Sequence, residues 1–393
     1  MIDFKLSDRD EEILSMLRAE GMIARKYARY YDDREEDELP PDVLPEGAEM
    51  PRARRHLMGE RKIEEDGGHA VLQMWLTIYQ TWGDYAVRVK RAPGALGNSA
   101  LLAAGSKEQN EKWGQLTLAM AITEPGCGSD PSALRTKAVL DGDEWVINGE
   151  KIFVTTGIRG DGVVVWATVD PSAGRAGIKS FLIEKGTPGF NVVKKEKKLG
   201  IRADDTAAFH FEDCRIPREN LLGGDEGIAK KGSGGFKKAM KTFNMTRPAV
   251  AALGLGISQA ALDFTREELT KAGIELSYGG GASNESAMVA RFFELEALQE
   301  AAILTVMRAA WLADEGKPNN VEASIAKAKG GKTVRLVTQG CIELLGPMGI
   351  SRDHLVEKWF RDCRITDIYE GTGQVQHLII ARSLLGYTRK ELS

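Results

Sequence analysis

Cysteine is scarce in this chain. The four cysteines, Cys127, Cys214, Cys341 and Cys363, form no Cys-x-x-Cys pair. That excludes a zinc ribbon and a disulfide framework, and it reads as the reduced thiols of an intracellular, cytoplasmic chain. The five histidines show no His-x-x-x-His spacing, so no metal site is expected. Excess charge is also lacking. A net charge of −4 leaves no basic surface for nucleic acid or an anionic membrane. No run of about 18 apolar residues exists, so nothing is expected to span a bilayer. Residues 1–12 lack the apolar centre of a signal peptide and are too acidic for a transit peptide. No Gly-x-Gly-x-x-Gly joins a strand to a helix, and there is no Walker loop, no Gly-x-Ser-x-Gly and no carboxylate pair at hydrolase spacing. Nicotinamide-binding Rossmann, P-loop and serine-hydrolase chemistry are thereby set aside.

What is present is a chain of 393 residues with 42% hydrophobic and 28% charged residues, enough for two or three folded domains. Its character changes twice. From 1 to 116 it reads as helical. Ser7 and Asp10 start a helix with Ile13, Leu14 and Leu17 on one face, and 32–45 is an acidic, proline-rich solvated loop. The segment 51–66 is charge-rich and weakly helical, and 69–90 is an apolar helix with Trp75 and Trp82 in the core. A further helix covers 100–113.

From 117 to 228 the pattern is of short strands, at 118–122, 137–140, 144–147, 151–154, 163–169, 180–184 and 207–211. Gly and Pro turns separate them: 137–140 and 144–147 read as a hairpin through Asp141-Gly-Asp143, and Asn148-Gly149 is the strongest hairpin-turn signal by composition. This predicts an antiparallel β-barrel or sandwich. From 229 to 393 the helical period returns, at 236–269, 287–313, 321–345 and after Gly371. The small residues Ala249, Ala251, Ala252, Gly254 and Gly256 would allow close helix contact in a four-helix bundle. The fold class is thus multidomain α+β, with an N-terminal helical domain, a middle β-domain and a C-terminal bundle.

The chain is organised around Asp367-Ile-Tyr-Glu-Gly-Thr-Gly-Gln-Val-Gln376. Glycines at 371 and 373 break the helix there, and Thr372 suits the start of the next one. A carboxylate such as Glu370, desolvated at such a break, gains basicity and suits removal of a carbon-bound proton. The bland alternative is a surface glutamate beside a helix start. Two further stretches offer ligand chemistry. The Gly/Pro loop Thr123-Glu-Pro-Gly-Cys-Gly-Ser-Asp130 presents the hydroxyls of Thr123 and Ser129. The strand end Phe153-Val-Thr-Thr-Gly157 sets an aromatic face beside hydroxyl donors, as a flat, heteroatom-rich ring requires.

Five separated segments together resemble the acyl-CoA dehydrogenase family. They are 121–130, 147–157, 199–206 with 211–217, Thr246-Arg-Pro-Ala-Val-Ala-Ala252 running on to Gln259 and Leu262-Asp263, and 368–372 with Gln374 and Gln376. The likeness covers roughly residues 100–270 and 305–390. The resemblance implies a flavoprotein oxidoreductase of fatty acid metabolism that converts an acyl-CoA to the trans-2-enoyl-CoA, with FAD as cofactor. Glu370 is then the base that takes the α-proton, and flavin N5 accepts the β-hydride. Thr123 and Thr155 match contacts to the flavin ring, and Phe153 stands where the family usually has a tryptophan. Thr372 and Gln374 match contacts to the FAD phosphates and adenosine. Ser129 and Arg247 match substrate contacts, and Tyr369 and Gly371 border the substrate beside the base. An electron-transfer flavoprotein is the implied electron acceptor, and a homo-oligomer, dimer or homotetramer, the implied assembly.

The chain departs from the family in three places. The segment 271–286 lacks the arginine and Phe-Gly pair that usually reach a neighbouring subunit's FAD. Glu343 and Pro347-Met348 replace the glutamine and Gly-Asn of the adenine side. The N-terminal domain matches poorly, which leaves room for a non-standard acyl group. Other readings are an acyl-CoA oxidase or another flavin oxidase or monooxygenase on the same scaffold, and a non-catalytic CoA- or partner-binding relative.

Overall fold

In a computed structural model of the protein, residues 8–34, 69–85, 95–227, 235–278, 286–387 and 391 are described. The chain divides into two compact units. One holds Met1–Arg88, Leu199–Ala203 and Asn244–Ser393; the other holds Val89–Lys198 and Asp204–Phe243.

The first unit is helical. Helices α1 (Asp8–Arg34) and α2 (His69–Gly83) come from the start of the chain and pack on each other. Leu14 and Leu17 are buried as their spacing predicts. The segment 51–66 lies outside the described residues, as does most of the acidic run after Arg34. Asp32 corrects the solvated-loop reading: it sits in the last turn of α1, fully buried, and takes a bidentate contact from Arg361 at 2.6 and 2.9 Å. A charge run in sequence does not reveal which member meets a distant guanidinium.

The helix read over 100–113 belongs to the second unit and is broken at Gly105-Ser106 into α3 (Leu96–Ala104) and α4 (Lys107–Trp113). Ser106 forms a capping box with Gln109, which starts α4 afresh.

Seven strands follow in one sheet: β1 (Leu118–Ala121), β2 (Lys137–Asp141), β3 (Glu144–Thr155), β4 (Gly162–Thr168), β5 (Ile178–Glu184), β6 (Phe190–Lys195) and β7 (Thr206–Pro217). The path runs β1-β4-β2-β3-β7-β6, with β5 on β4. Most pairings are antiparallel, but β1 and one residue of β2 run parallel to β4. Strand β4 is buried along its whole length. Val163, Val165 and Ala167 face a core with Trp145, Phe181 and Phe209, while Val164 and Trp166 face a second core with Leu101 and Trp113. That burial on both faces is why β4 reads as an unbroken apolar run.

Asn148-Gly149 is not a hairpin turn. Strand β3 runs straight through it, while β2 and β3 form the hairpin read through Asp141-Gly-Asp143, turning at Gly142-Asp143. Asn148 and Asp213 exchange hydrogen bonds at 2.8 and 3.1 Å at a register shift between β3 and β7. A side chain at 149 would collide with Thr136, so the glycine serves close approach rather than a turn.

Helices α5 (Gly235–Lys271), α6 (Ala287–Asp314), α7 (Asn320–Leu345), α8 (Val356–Asp362) and α9 (Gly373–Leu385) complete the chain. In the first unit α7 packs on α6 and α9, and α6 on α2. Gly256 of α5 lies directly on Thr81 and Ile78 of α2, the close approach that the small residues predicted. Lys358 of α8 is sealed between Asp84 (2.7 Å) and Asp362 (2.5 Å). No helix among the described residues is long and apolar enough to cross a membrane.

Candidate active site

In the first unit, the 3₁₀ turn Cys363–Asp367 hands over to residues 368–372 and then to α9. Thr372 is the N-cap of α9, its Oγ1 accepting the Val375 N–H at 3.3 Å. Glu370 itself adopts a left-handed backbone with φ 55°, followed by Gly371 at φ 93°. A glutamate there is strained. Gln376, fully buried one turn into α9, holds the strained pair by donating Nε2 to the carbonyls of Gly371 (3.1 Å) and Glu370 (3.5 Å).

The loop conformation decides where the carboxylate goes. Glu370 is half-buried as a residue, but its Oε2 is sealed from solvent and makes no hydrogen bond. Burial pushes its carboxyl above the usual range, against the opposing pull of Thr246, Lys327 and Arg247. The Thr246 hydroxyl stands close enough to favour the charged form, yet makes no hydrogen bond of normal length. Arg247 feels the reciprocal effect: burial lowers it and the Glu370 charge raises it. Tyr369, next to the base, places its hydroxyl 2.7 Å from that of the buried Tyr85. Gln374 is exposed in the first turn of α9. The structure thus gathers Arg247, Tyr369, Glu370, Gly371 and Thr372 into one neighbourhood, with Gln374 at its edge.

Sequence reasoning gave no role to Thr246, Lys327 or Tyr85. Only Lys327 left a signal: a charged residue on the apolar stripe Ala323, Ala326, Gly330, Val334 of α7.

In the second unit, the loop after β1 is built on a buried ion pair. Lys151 Nζ donates to Glu124 Oε1 (2.8 Å) and to the Ile122 carbonyl (3.0 Å). Glu124 also accepts from the Arg135 and Thr136 amides and the Thr136 hydroxyl, at 2.6–2.9 Å. Burial outweighs its partner and takes Lys151 down to about 8, whereas for Glu124 burial pushes up but Lys151 together with the Thr136 and Arg135 donors holds the carboxyl low. Both directions leave the pair charged at neutral pH. The pair fixes Thr123, whose carbonyl accepts the Ile152 N–H at 2.9 Å. Ser129, on the far side of the loop, is exposed.

Phe153 sits at a second register shift between β3 and β7, with φ 57°. Strict alternation would put it on the face of Ile147 and Lys151. The bulge brings Val154 into the core instead and turns the Phe153 ring out, 62% exposed. Thr155 follows, half-buried and paired with Thr206. Thr123, Phe153 and Thr155 therefore share one end of β3. An outward aromatic face flanked by hydroxyls fits a flat heteroaromatic ring.

Comparison with known proteins identifies the family. The family model for the acyl-CoA dehydrogenase C-terminal domain matches residues 233–385, and that for the middle domain matches residues 119–214. The mitochondrial short-chain specific acyl-CoA dehydrogenase of Bos taurus is 39% identical over 291 residues, 72% of this chain and 68% of the relative. Butyryl-CoA dehydrogenase from Megasphaera elsdenii superposes with a TM-score of 0.81 at 30% identity, covering 98% of this chain and 100% of that one. A chain from work on the electron transferring flavoprotein of Acidaminococcus fermentans, directed at flavin-based electron bifurcation, superposes with a TM-score of 0.82 at 32% identity, covering 98% and 100%. With helical parts at both ends, a middle curled sheet and these matches, the chain belongs to the acyl-CoA dehydrogenase family.

Proposed function

We propose that this acyl-CoA dehydrogenase oxidises the Cα–Cβ bond of a short acyl-CoA, with Glu370 as the base and FAD as the electron acceptor. The observation that carries the reading is the sealed, unpartnered Oε2 of Glu370 on a strained loop, within electrostatic reach of Lys327 and Arg247. A base for a carbon acid beside a thioester needs a raised but accessible basicity. Burial supplies the rise, and Lys327 and Arg247 limit it. In the reaction the α C–H bond gives its proton to Glu370, and two electrons and the β-hydrogen leave the substrate as hydride. FAD, when bound, supplies the acceptor for that hydride.

The residues fit such a cofactor. Thr123, Phe153 and Thr155 would hold the flavin ring. Thr372 and Gln374 would hold the phosphates and adenosine: the Thr372 oxygen already accepts from Val375, which leaves its O–H free to donate. Ser129, Arg247, Tyr369 and Gly371 would contact the substrate. The names of the relatives favour a short acyl chain, and the neighbour from the electron-transferring flavoprotein work favours such a protein as the oxidant of the reduced flavin. Leu378, Leu384 and Leu385, exposed on α9, suit burial against another copy in a homo-oligomer. The four buried free thiols suit a reducing compartment such as the cytoplasm.

The test is Glu370→Gln with butyryl-CoA and an artificial acceptor under anaerobic conditions. Flavin is retained and the rate of flavin bleaching falls by about 10²–10⁴. Wild-type bleaching in the variant overturns the assignment, and turnover on oxygen alone with stoichiometric peroxide identifies an oxidase instead.

A further inference from the structure

We propose that Lys327 is a positioning residue for the Glu370 base: its ammonium, sealed within the bundle and bonded to nothing, acts through space to keep the carboxylate ionisable. The inference rests on Glu370 being the base.

Lys327 is fully buried on α7, and its Nζ makes no hydrogen bond. Its own stripe is Ala323, Ala326, Gly330, Gly331 and Val334. A methionine of similar length would pack there without a desolvation cost, so the ammonium is held at the expense of stability. Burial takes it down to about 8, opposed by Asp367 and Glu370 and reinforced by Arg247.

The packing explains why these charges meet. A Cβ at Gly331, one turn from Lys327, would lie 2.5 Å from Asp367 Oδ1. One at Gly330 would lie 2.7 Å from the Ala251 Cβ of α5, and one at Gly254 would lie 2.8 Å from Thr366 Oγ1. Glycine at these contacts lets α5, α7 and residues 366–370 approach at backbone distance. Arg247 arrives on α5, Lys327 on α7, and Asp367 and Glu370 on the loop. Two positive and two negative groups then lie within electrostatic reach of one another, with Lys327 fully buried and the other three partly buried.

That balance has a consequence for turnover. With Glu370 ionised the cluster is neutral; once Glu370 takes the α-proton the cluster carries one net positive charge. The surplus favours release of the proton when the product leaves. A hydrogen-bonded partner would occupy the carboxylate oxygen that must receive the proton. An ammonium that makes no hydrogen bond and acts only through its charge leaves that oxygen open.

The experiment is the pH profile of kcat/KM for butyryl-CoA in Lys327→Met and Lys327→Arg holoenzymes, with flavin content measured alongside. Removing the charge moves the acidic limb, which reports Glu370, upward by about one pH unit. Arginine returns the limb towards its wild-type position. If Lys327→Met does not purify folded, Lys327→Gln is read by the same criterion. An unmoved limb, or a rate loss equal at all pH values, overturns the proposal and leaves Lys327 a packing residue. Loss of the Glu370 assignment shows separately, as wild-type bleaching in Glu370→Gln.

Discussion

Lys151→Met tests whether the loop that carries Thr123 and Ser129 is held by electrostatics. Lys151 is fully buried and Glu124 nearly so. Taking away one partner of a buried ion pair typically costs about 3–5 kcal/mol, because the other charge is left in a poor solvent. Glu124 would keep its three donors from Arg135 and Thr136. Those bonds still stabilise the carboxylate, so the expected loss is at the lower end, about 3 kcal/mol. Replacing both partners by apolar residues would not restore stability here. Glu124 is the acceptor for two backbone amides, and these would be left buried and unpaired.

The pH dependence fixes the sign. In the wild type Glu124 is held below its ordinary value, so its contribution is present above the unfolded carboxylate pKa and is lost as pH falls through the folded one. In the variant the lysine's pull is absent and burial dominates, so the carboxyl rises. That variant gains relative stability on acidification. The gap between the two proteins should thus be full at neutral pH and narrow at mildly acid pH. Chemical unfolding followed by tryptophan fluorescence measures it, with Trp145 in the adjoining core. Flavin retained through gel filtration reports whether Thr123 has shifted. A loss below about 1 kcal/mol, or a gap that widens on acidification, refutes the reasoning.

Phe153→Ala should leave unfolding unchanged, because the ring is turned out of the core, and should weaken flavin retention and alter the flavin absorption band; an unchanged spectrum and affinity would remove Phe153 from the cofactor's surroundings. Gln376→Leu should unpin the Glu370 and Gly371 carbonyls and reduce kcat by about 10²-fold through misplacement of the base, with a smaller effect on KM; full activity would show that the loop holds itself.

Much of this architecture could be read from the residues. The periodicity of α5, α6 and α7 gave bounds within a few residues, because long amphipathic helices repeat their apolar face many times. The loop Thr123–Asp130, the end of β3 and the break before α9 were each marked by local chemistry. What stayed hidden was set by partners far along the chain. The exposed, six-residue β6 carries no clear alternation, and the parallel pairing of β1 with β4 depends on residues more than forty positions apart. Asn148-Gly149 has the composition of a hairpin turn, and only the approach of Thr136 and Asp213 shows that its glycine serves a crossing. Lys327 belongs to the same class. Its place on the apolar stripe of α7 marked it, but nothing in the sequence showed that Gly330 and Gly331 bring other elements against that side and bury it.

Backbone strain in this chain follows a pattern that burial does not explain. Among the described residues, the non-glycine positions with positive φ are Phe153, Thr156, Ile201, Asp213 and Glu370. Three of these five lie in the two segments that the chemistry selects. Two of them are held by groups fixed elsewhere: the Thr156 N–H donates to the Asp205 carbonyl at 3.0 Å, and Gln376 holds the loop of Glu370. A regular strand would have directed the Phe153 ring to the core face, and an ordinary helical turn would have carried Glu370 along the packed surface of α9. In both places a left-handed residue breaks the element's own periodicity and aims one side chain where the repeat would not send it. Strain of this kind costs of order 1–3 kcal/mol at each site. If Gln376→Leu lets Glu370 relax to an ordinary backbone without loss of rate, that link between strain and placement fails.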